Sequence, residues 1–134
     1  MQQVHTLKSN SRDEMIDITA MVQEAVTEAR CSEGRVDLFC MHTTAGLTIN
    51  ENADPDVKLD MLRRFDEVYP WDMTADRHME GNTAAHMKAS TVGVSEMVLI
   101  QDGQLVLGTW QGIYFCEFDG PRTRKFMIRI NKDS

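Results

Sequence analysis

The sequence predicts an α+β fold, and three observations carry that prediction. Apolar and polar residues alternate with a period of two in several short runs, most cleanly where Val36, Leu38, Cys40 and His42 alternate with Asp37, Phe39 and Met41. Two other segments repeat their apolar residues at helical spacing: Val22, Ala25, Val26 and Ala29, then Val57, Met61, Phe65 and Val68. Strands and helices also lack the regular alternation that builds a parallel βαβ sheet. The 134 residues suit a single domain, 1–134. No repeat, low-complexity tract or Pro/Ser-rich linker divides them.

Taken in order, residues 2–8 read as an opening strand and Asp13–Ile18 as a second. Thr19 is the expected N-cap of the first helix, which Ser32-Glu33-Gly34 closes. After the strand through Cys40, the chain continues extended over Thr43–Glu51, with Gly46 marking a bend. Asp54 caps a second helix that begins at Pro55 and ends before Pro70. Residues 71–82 read as a loop that opens on Trp71. A third helix runs from Thr83 to Val92, capped by Asn82 and stopped by Gly93. Two hairpins follow, one turning at Gln101-Asp102-Gly103-Gln104 and one at Asp119-Gly120-Pro121-Arg122.

Composition excludes several classes. The chain is 42% apolar and 26% charged, ordinary for a globular protein. Fourteen basic against 21 acidic residues give −7, which argues against nucleic acid as a partner. No apolar run approaches a membrane span or a secretory signal, so no membrane association is expected and the cytoplasm is the expected compartment. Cys31, Cys40 and Cys116 form no C-x-x-C pair, and the last two sit in strand-like apolar runs as small core residues. From Pro121 onward five bases face one acid, and Arg122, Arg124 and Lys125 could form a patch for a single phosphate.

Three constellations could carry chemistry. The first runs from His42-Thr43-Thr44 through Asn50, Glu51, Asn52 and Asp54, a strand end feeding polar residues. Turn and cap chemistry accounts for Asn52 and Asp54, whereas His42 and Glu51 point to function. The second holds His78 in the loop and His86 in the first turn of the third helix, eight residues apart. With His42 they would make a three-imidazole site with open positions, the pattern of catalytic zinc. The third is Gly108-Thr109-Trp110-Gln111-Gly112, where Trp110 offers a stacking face and Gln111 an amide. A bulged strand with a core tryptophan and a ligand role are equally open there. His5 reads as structural.

Together these motifs resemble the YjbQ family of small proteins. The residues that carry the resemblance are His42-Thr43-Thr44-Ala45 with Thr48-Ile49-Asn50-Glu51-Asn52-Ala53-Asp54-Pro55, then His86-Met87-Lys88-Ala89-Ser90 with Gly93, then Gly103 with Gly108–Ile113. The match extends from about residue 4 to 131. Gly81-Asn82-Thr83-Ala84-Ala85 is shorter than relatives carry there and lacks their acid pair, leaving Glu80 or Asp76 as the nearest acids. The resemblance implies an α+β domain whose mixed, largely antiparallel sheet curves into a half-barrel with about three helices. It also implies a homotrimer, and a polar pocket in which His42, His78 and His86 hold a divalent ion. Asn50 and Glu51 would line that pocket, with Trp110 and Gln111 near it.

The ion the resemblance implies is zinc, with magnesium as the alternative. The family is also named a secondary thiamine-phosphate synthase, joining a hydroxymethylpyrimidine diphosphate to a thiazole phosphate. In the enzyme reading, Glu51 serves as general base while Asn50, Trp110, Gln111, Arg122 and Arg124 bind a small phosphorylated substrate. Diphosphate departure normally uses Mg²⁺ on carboxylates, whereas three histidines suit zinc better. The alternatives are a module that binds a metal and a small anion without turnover, and a regulatory partner of another protein.

Overall fold

The computed structural model describes residues 1–133. Eight strands and three helices follow in the order β1 (Gln2–Lys8), β2 (Glu14–Asp17), α1 (Thr19–Glu28), β3 (Gly34–Cys40), β4 (Ala45–Glu51), α2 (Pro55–Val68), α3 (Thr83–Val92), β5 (Ser95–Gln101), β6 (Gln104–Leu105), β7 (Gln111–Glu117) and β8 (Thr123–Lys132). Strands β1-β8-β3-β5-β6 form one antiparallel sheet, which curls into a half-barrel. Strands β2-β7-β4 form a second antiparallel sheet. The fold is α+β, as the periodicities predict.

The period-two alternation sets which faces are buried. In β3, Val36, Leu38 and Cys40 point into the core while Phe39 points outward. Its neighbour β8 contributes Phe126, Ile128 and Ile130 to the same layer, and α1 adds Val22, Ala25 and Val26. Strand β7 is buried on both faces and reads as a continuous apolar run, as strands covered on both sides do. Ile113 and Phe115 join the main core, whereas Tyr114 and Cys116 join a smaller one beneath α2 and α3. His5 stacks on Phe126 with centroids 5.6 Å apart, a structural placement. All three cysteines are buried free thiols, and burial pushes Cys116 up to about 12.

Five local expectations meet different outcomes. Asp102 and Gly103 both have positive φ, so β5 and β6 close through the two-residue hairpin turn that Asp-Gly favours. Asp119–Arg122, by contrast, joins no hairpin. Strand β7 belongs to the three-stranded sheet and β8 to the five-stranded one, so this reversal carries the chain between sheets. Gly-Pro composition marks a reversal without saying whether the flanking strands pair. Gly46 is no bend either. It lies within β4, where a Cβ would stand 2.4 Å from the Gly93 carbonyl oxygen. That carbonyl accepts the Leu47 N–H, docking the end of α3 onto β4. Asp54 caps α2 as expected, accepting from the Asp56 N–H. Asn82 occupies the N-cap position of α3 but leaves the helix N–H groups alone.

An ion cluster around the buried Lys88 fixes α3. Lys88 is fully enclosed and donates to Asp13 and Asp66, which also bind Arg12. Arg12 in turn lies 4.5 Å over the Trp71 ring, at the start of the 71–82 loop. Helix α3, helix α2 and that loop are thereby tied to one another. No helix among the described residues is long and apolar enough to cross a membrane.

Candidate functional site

His42 follows the last inward residue of β3, at the point where the sheet runs out. Its Nε2 accepts the Lys125 N–H of β8 at 3.0 Å. Burial, aided by the Arg124 charge, holds its pKa below the ordinary histidine value, so the ring is neutral near pH 7. In a neutral ring whose Nε2 accepts, the proton sits on Nδ1. His86 stands in the first turn of α3, and His78 approaches it from the loop with ring centroids 5.4 Å apart, edge to face. All three rings line one cleft of about 360 Å³ with Glu80, Asn82 and Arg122. His42 and His86 also border an adjoining hollow of about 470 Å³ against Ser90 and Gly93.

The wall of the cleft is a buried charge pair. Arg124, 2% exposed, donates from Nε and Nη2 to the Glu117 carboxylate and from Nη2 to Thr44 Oγ1. Ser9 Oγ donates to the same carboxylate at 2.7 Å. Burial pushes the Glu117 carboxyl up, but the bonds from Arg124, Ser9 and the Asp119 N–H outweigh it and hold its pKa below the ordinary range. Arg124 is therefore a fixed part of the wall, with only Nη1 lacking a partner among the described residues. Arg122 is half exposed and braced on Asp119 through Nε and Nη2. Lys125 lies on the outward side of β8 and contributes its backbone N–H alone.

The remaining candidates lie elsewhere. Asn50 and Glu51 are at the far end of β4, about 20 Å along the strand from Thr44 at ~3.3 Å per residue. Strand pairing sets Glu51 opposite Gln111 and Asn50 opposite Gly112. So Asn50, Glu51, Trp110 and Gln111 cluster together, away from the histidines. Some of their polar atoms are spent locally. Asn50 Oδ1 accepts the Glu51 N–H, Gln111 Oε1 accepts the Gly108 N–H, and the Glu51 carbonyl accepts the Tyr114 hydroxyl. Trp110 is 63% exposed, neither a core residue nor part of the histidine cleft.

A family model described as UPF0047 protein YjbQ-like matches residues 3–133. The chain belongs to the YjbQ/UPF0047 family. UPF0047 protein YugU of Bacillus subtilis is 65% identical over 124 residues, 92% of this chain and 94% of that protein. A UPF0047 protein of Methanocaldococcus jannaschii is 47% identical over 131 residues, covering 96% of this chain and 93% of its own. A crystal structure of a YjbQ/UPF0047-family protein from Clostridium acetobutylicum superposes with a TM-score of 0.93 at 52% identity, covering 96% of this chain and 99% of that one. The crystal structure of a conserved hypothetical protein from Thermus thermophilus gives a TM-score of 0.90 at 39% identity, covering 96% of this chain and 99% of that one.

Within this YjbQ-family chain, the cleft contains residues that sequence reasoning passed over. Asn82 reads as a helix cap and Asp119 as part of a turn, and Glu117, which stands in the wall behind Arg124, draws no reading of its own. Arg124 opposite an acid seven positions earlier is a signal that a buried pair could be present, though spacing alone cannot say that both are enclosed. As donors, three imidazoles fit a divalent ion in kind and number. Among the described residues no three His, Cys, Asp or Glu donors already converge on one point. A metal bond from His42 Nε2 would therefore replace its bond to Lys125.

Proposed function

We propose that this cleft is a divalent-metal site, zinc first and magnesium second, which handles a small phosphorylated molecule. What supports the reading is one observation: three histidines from separate parts of the chain, with Arg122 and Arg124, line a single cleft. His42, His78 and His86 are the residues that would hold the ion. When bound, the ion would supply positive charge to polarise a phosphoryl oxygen. Arg122 would orient the phosphate, and the Arg124–Glu117 pair would keep Thr44 and the wall rigid. Glu51 is too far along β4 to act as base there, so Glu80, exposed at the rim, is the carboxylate available to take a proton. Transfer chemistry of the thiamine-phosphate synthase kind is one reaction class this reading admits.

The alternative without turnover, a module that captures metal and anion, draws support from the donor-rich wall. Homotrimer formation is part of the proposal. It is supported by α2, which has no fully buried residue and leaves Val57, Met61 and Phe65 around an apolar hollow of about 430 Å³. Protein purified without chelator should carry about one ion per chain by elemental analysis and have the mass of three chains by light scattering. His42→Ala or His86→Ala should remove the metal and leave the assembly folded. Full metal retention in either variant would contradict the ligand set, and metal-dependent release of phosphate or diphosphate would separate an enzyme from a binding module.

A further inference from the structure

Asp119 lies in the reversal between β7 and β8 and lines the histidine cleft. Its side chain is 14% exposed and held in place. Oδ2 accepts from Asn82 Nδ2 at 2.8 Å and from Arg122 Nη2 at 3.0 Å. The backbone is fixed too: the Asp119 N–H donates to Glu117, and its carbonyl accepts from Arg122 Nε. Oδ1 has no partner among the described residues, yet it is not enclosed, because the one fully buried side-chain atom without a bond there is Asn82 Oδ1. Asp119 therefore offers the cleft one oriented, accessible acceptor that carries negative charge.

That charge alters what the arginines can do. Arg124 is matched by the buried Glu117 and Arg122 by Asp119, so neither brings a net positive charge to the cleft. Glu80 adds a negative charge at the rim, where exposure lets solvent screen it. His42 is neutral near pH 7. A phosphate that reaches Arg122 therefore also meets Asp119, and like charges in a partly enclosed cleft repel more strongly than in water. The two positive charges of a divalent ion on the histidines would outweigh that repulsion.

We propose that Asp119 makes anion binding conditional on the metal: the metal-free cleft turns a phosphate ester away, and the metal-loaded cleft takes it. The proposal rests on the reading of the cleft as a metal and phosphate site. Asn82 is a positioning residue in it, since its amide and Arg122 hold Oδ2 and so fix where Oδ1 stands. Ion and ester then raise each other's affinity by the same factor.

Titration calorimetry with methyl phosphate on the full, chelator-treated chain reads this directly. At pH 8, well above the ordinary histidine value of about 6.5, imidazole protonation does not stand in for the metal. Methyl phosphate should bind roughly fifty-fold more tightly with one equivalent of zinc than without, and saturating methyl phosphate should tighten zinc by the same factor. Asp119→Asn keeps an oxygen for Asn82 and Arg122 and removes the charge, so metal-free binding should rise roughly ten-fold. Such a gain is not what a damaged wall would give. Equal binding by the wild type with and without zinc would overturn this proposal and leave the phosphate site standing. No binding even with zinc would overturn both. A folded Asp119→Asn chain without the gain, or with the gain seen in Glu80→Gln instead, would overturn the assignment to Asp119. Loss of zinc from Asp119→Asn as complete as from His42→Ala would make Asp119 a ligand and overturn it likewise.

Discussion

The two ends of the three-stranded sheet carry equally dense polar motifs and differ in how deeply the fold buries the groups that they leave unspent. At the Glu51 end, Asn50 Oδ1, Gln111 Oε1, Asn52 Nδ2 and Thr19 Oγ1 bond neighbouring backbone or Asp17, while the Glu51 carboxylate and Trp110 Nε1, unbonded among the described residues, are open to solvent. At the histidine end, Asn82 Oδ1, Arg124 Nη1 and the first N–H groups of α3 remain unspent among the described residues. A run of polar residues alone does not mark a site. Hydrogen-bonding capacity that the fold holds in place and does not consume is the better marker, because a folded chain rarely leaves such groups unpaired without a ligand or water to meet them.

The largest expected effect breaks the histidine end outright. Arg124→Leu would strand the buried Glu117 carboxylate and should cost about 3–5 kcal/mol of stability in urea unfolding. A loss below about 1 kcal/mol would mean that solvent reaches Glu117 and that the wall is not rigid.

A smaller effect tests the opposite end. Gly112→Ala would put a Cβ 2.3 Å from Asn52 Nδ2 and within 2.7 Å of that side chain's Cβ, driving Asn52 off Asp17. About 1–3 kcal/mol of destabilisation is expected, with metal and phosphate binding unchanged. Altered ligand affinity in this variant would show that the two ends are coupled.

The mildest effect is a pH dependence. The folded-state pKa of His42 lies below its unfolded value of about 6.5. The unfolded chain therefore takes up this proton first, so the stability His42 contributes is present above that value and is lost as pH falls toward the folded pKa. Glu117, also depressed, adds a loss of the same sign at lower pH. Melting temperatures of wild type and His42→Asn should thus converge on acidification below about pH 6.5. A constant gap between them down to pH 5 would remove His42 from this linkage.

Much of the fold is legible in the sequence because it rests on local rules. Alternation marks β3, Asp54-Pro55 marks the start of α2, and Asp102-Gly103 marks the β5–β6 turn. The pairing of β7 and β8 is not legible, because the Asp119–Arg122 reversal looks the same whether its flanks share a sheet or part into two. The three histidines are visible as candidates through their setting. Trp110 and Glu51 are equally visible, and only the length of β4 separates them from the cleft. The role of Asn82 is hidden for a further reason: whether an N-cap amide turns to its helix or to Asp119 depends on a residue 37 positions away.

The most direct test of the cleft as the functional site is an amide NMR titration of the full chain with zinc and then methyl phosphate. Resonances of Thr43, Thr83, Ala84 and Lys125 should shift, the last because His42 gives up its bond to that N–H, while Glu51, Trp110 and Gln111 stay in place. Shifts confined to Glu51, Trp110 and Gln111, with the cleft silent, would contradict the account.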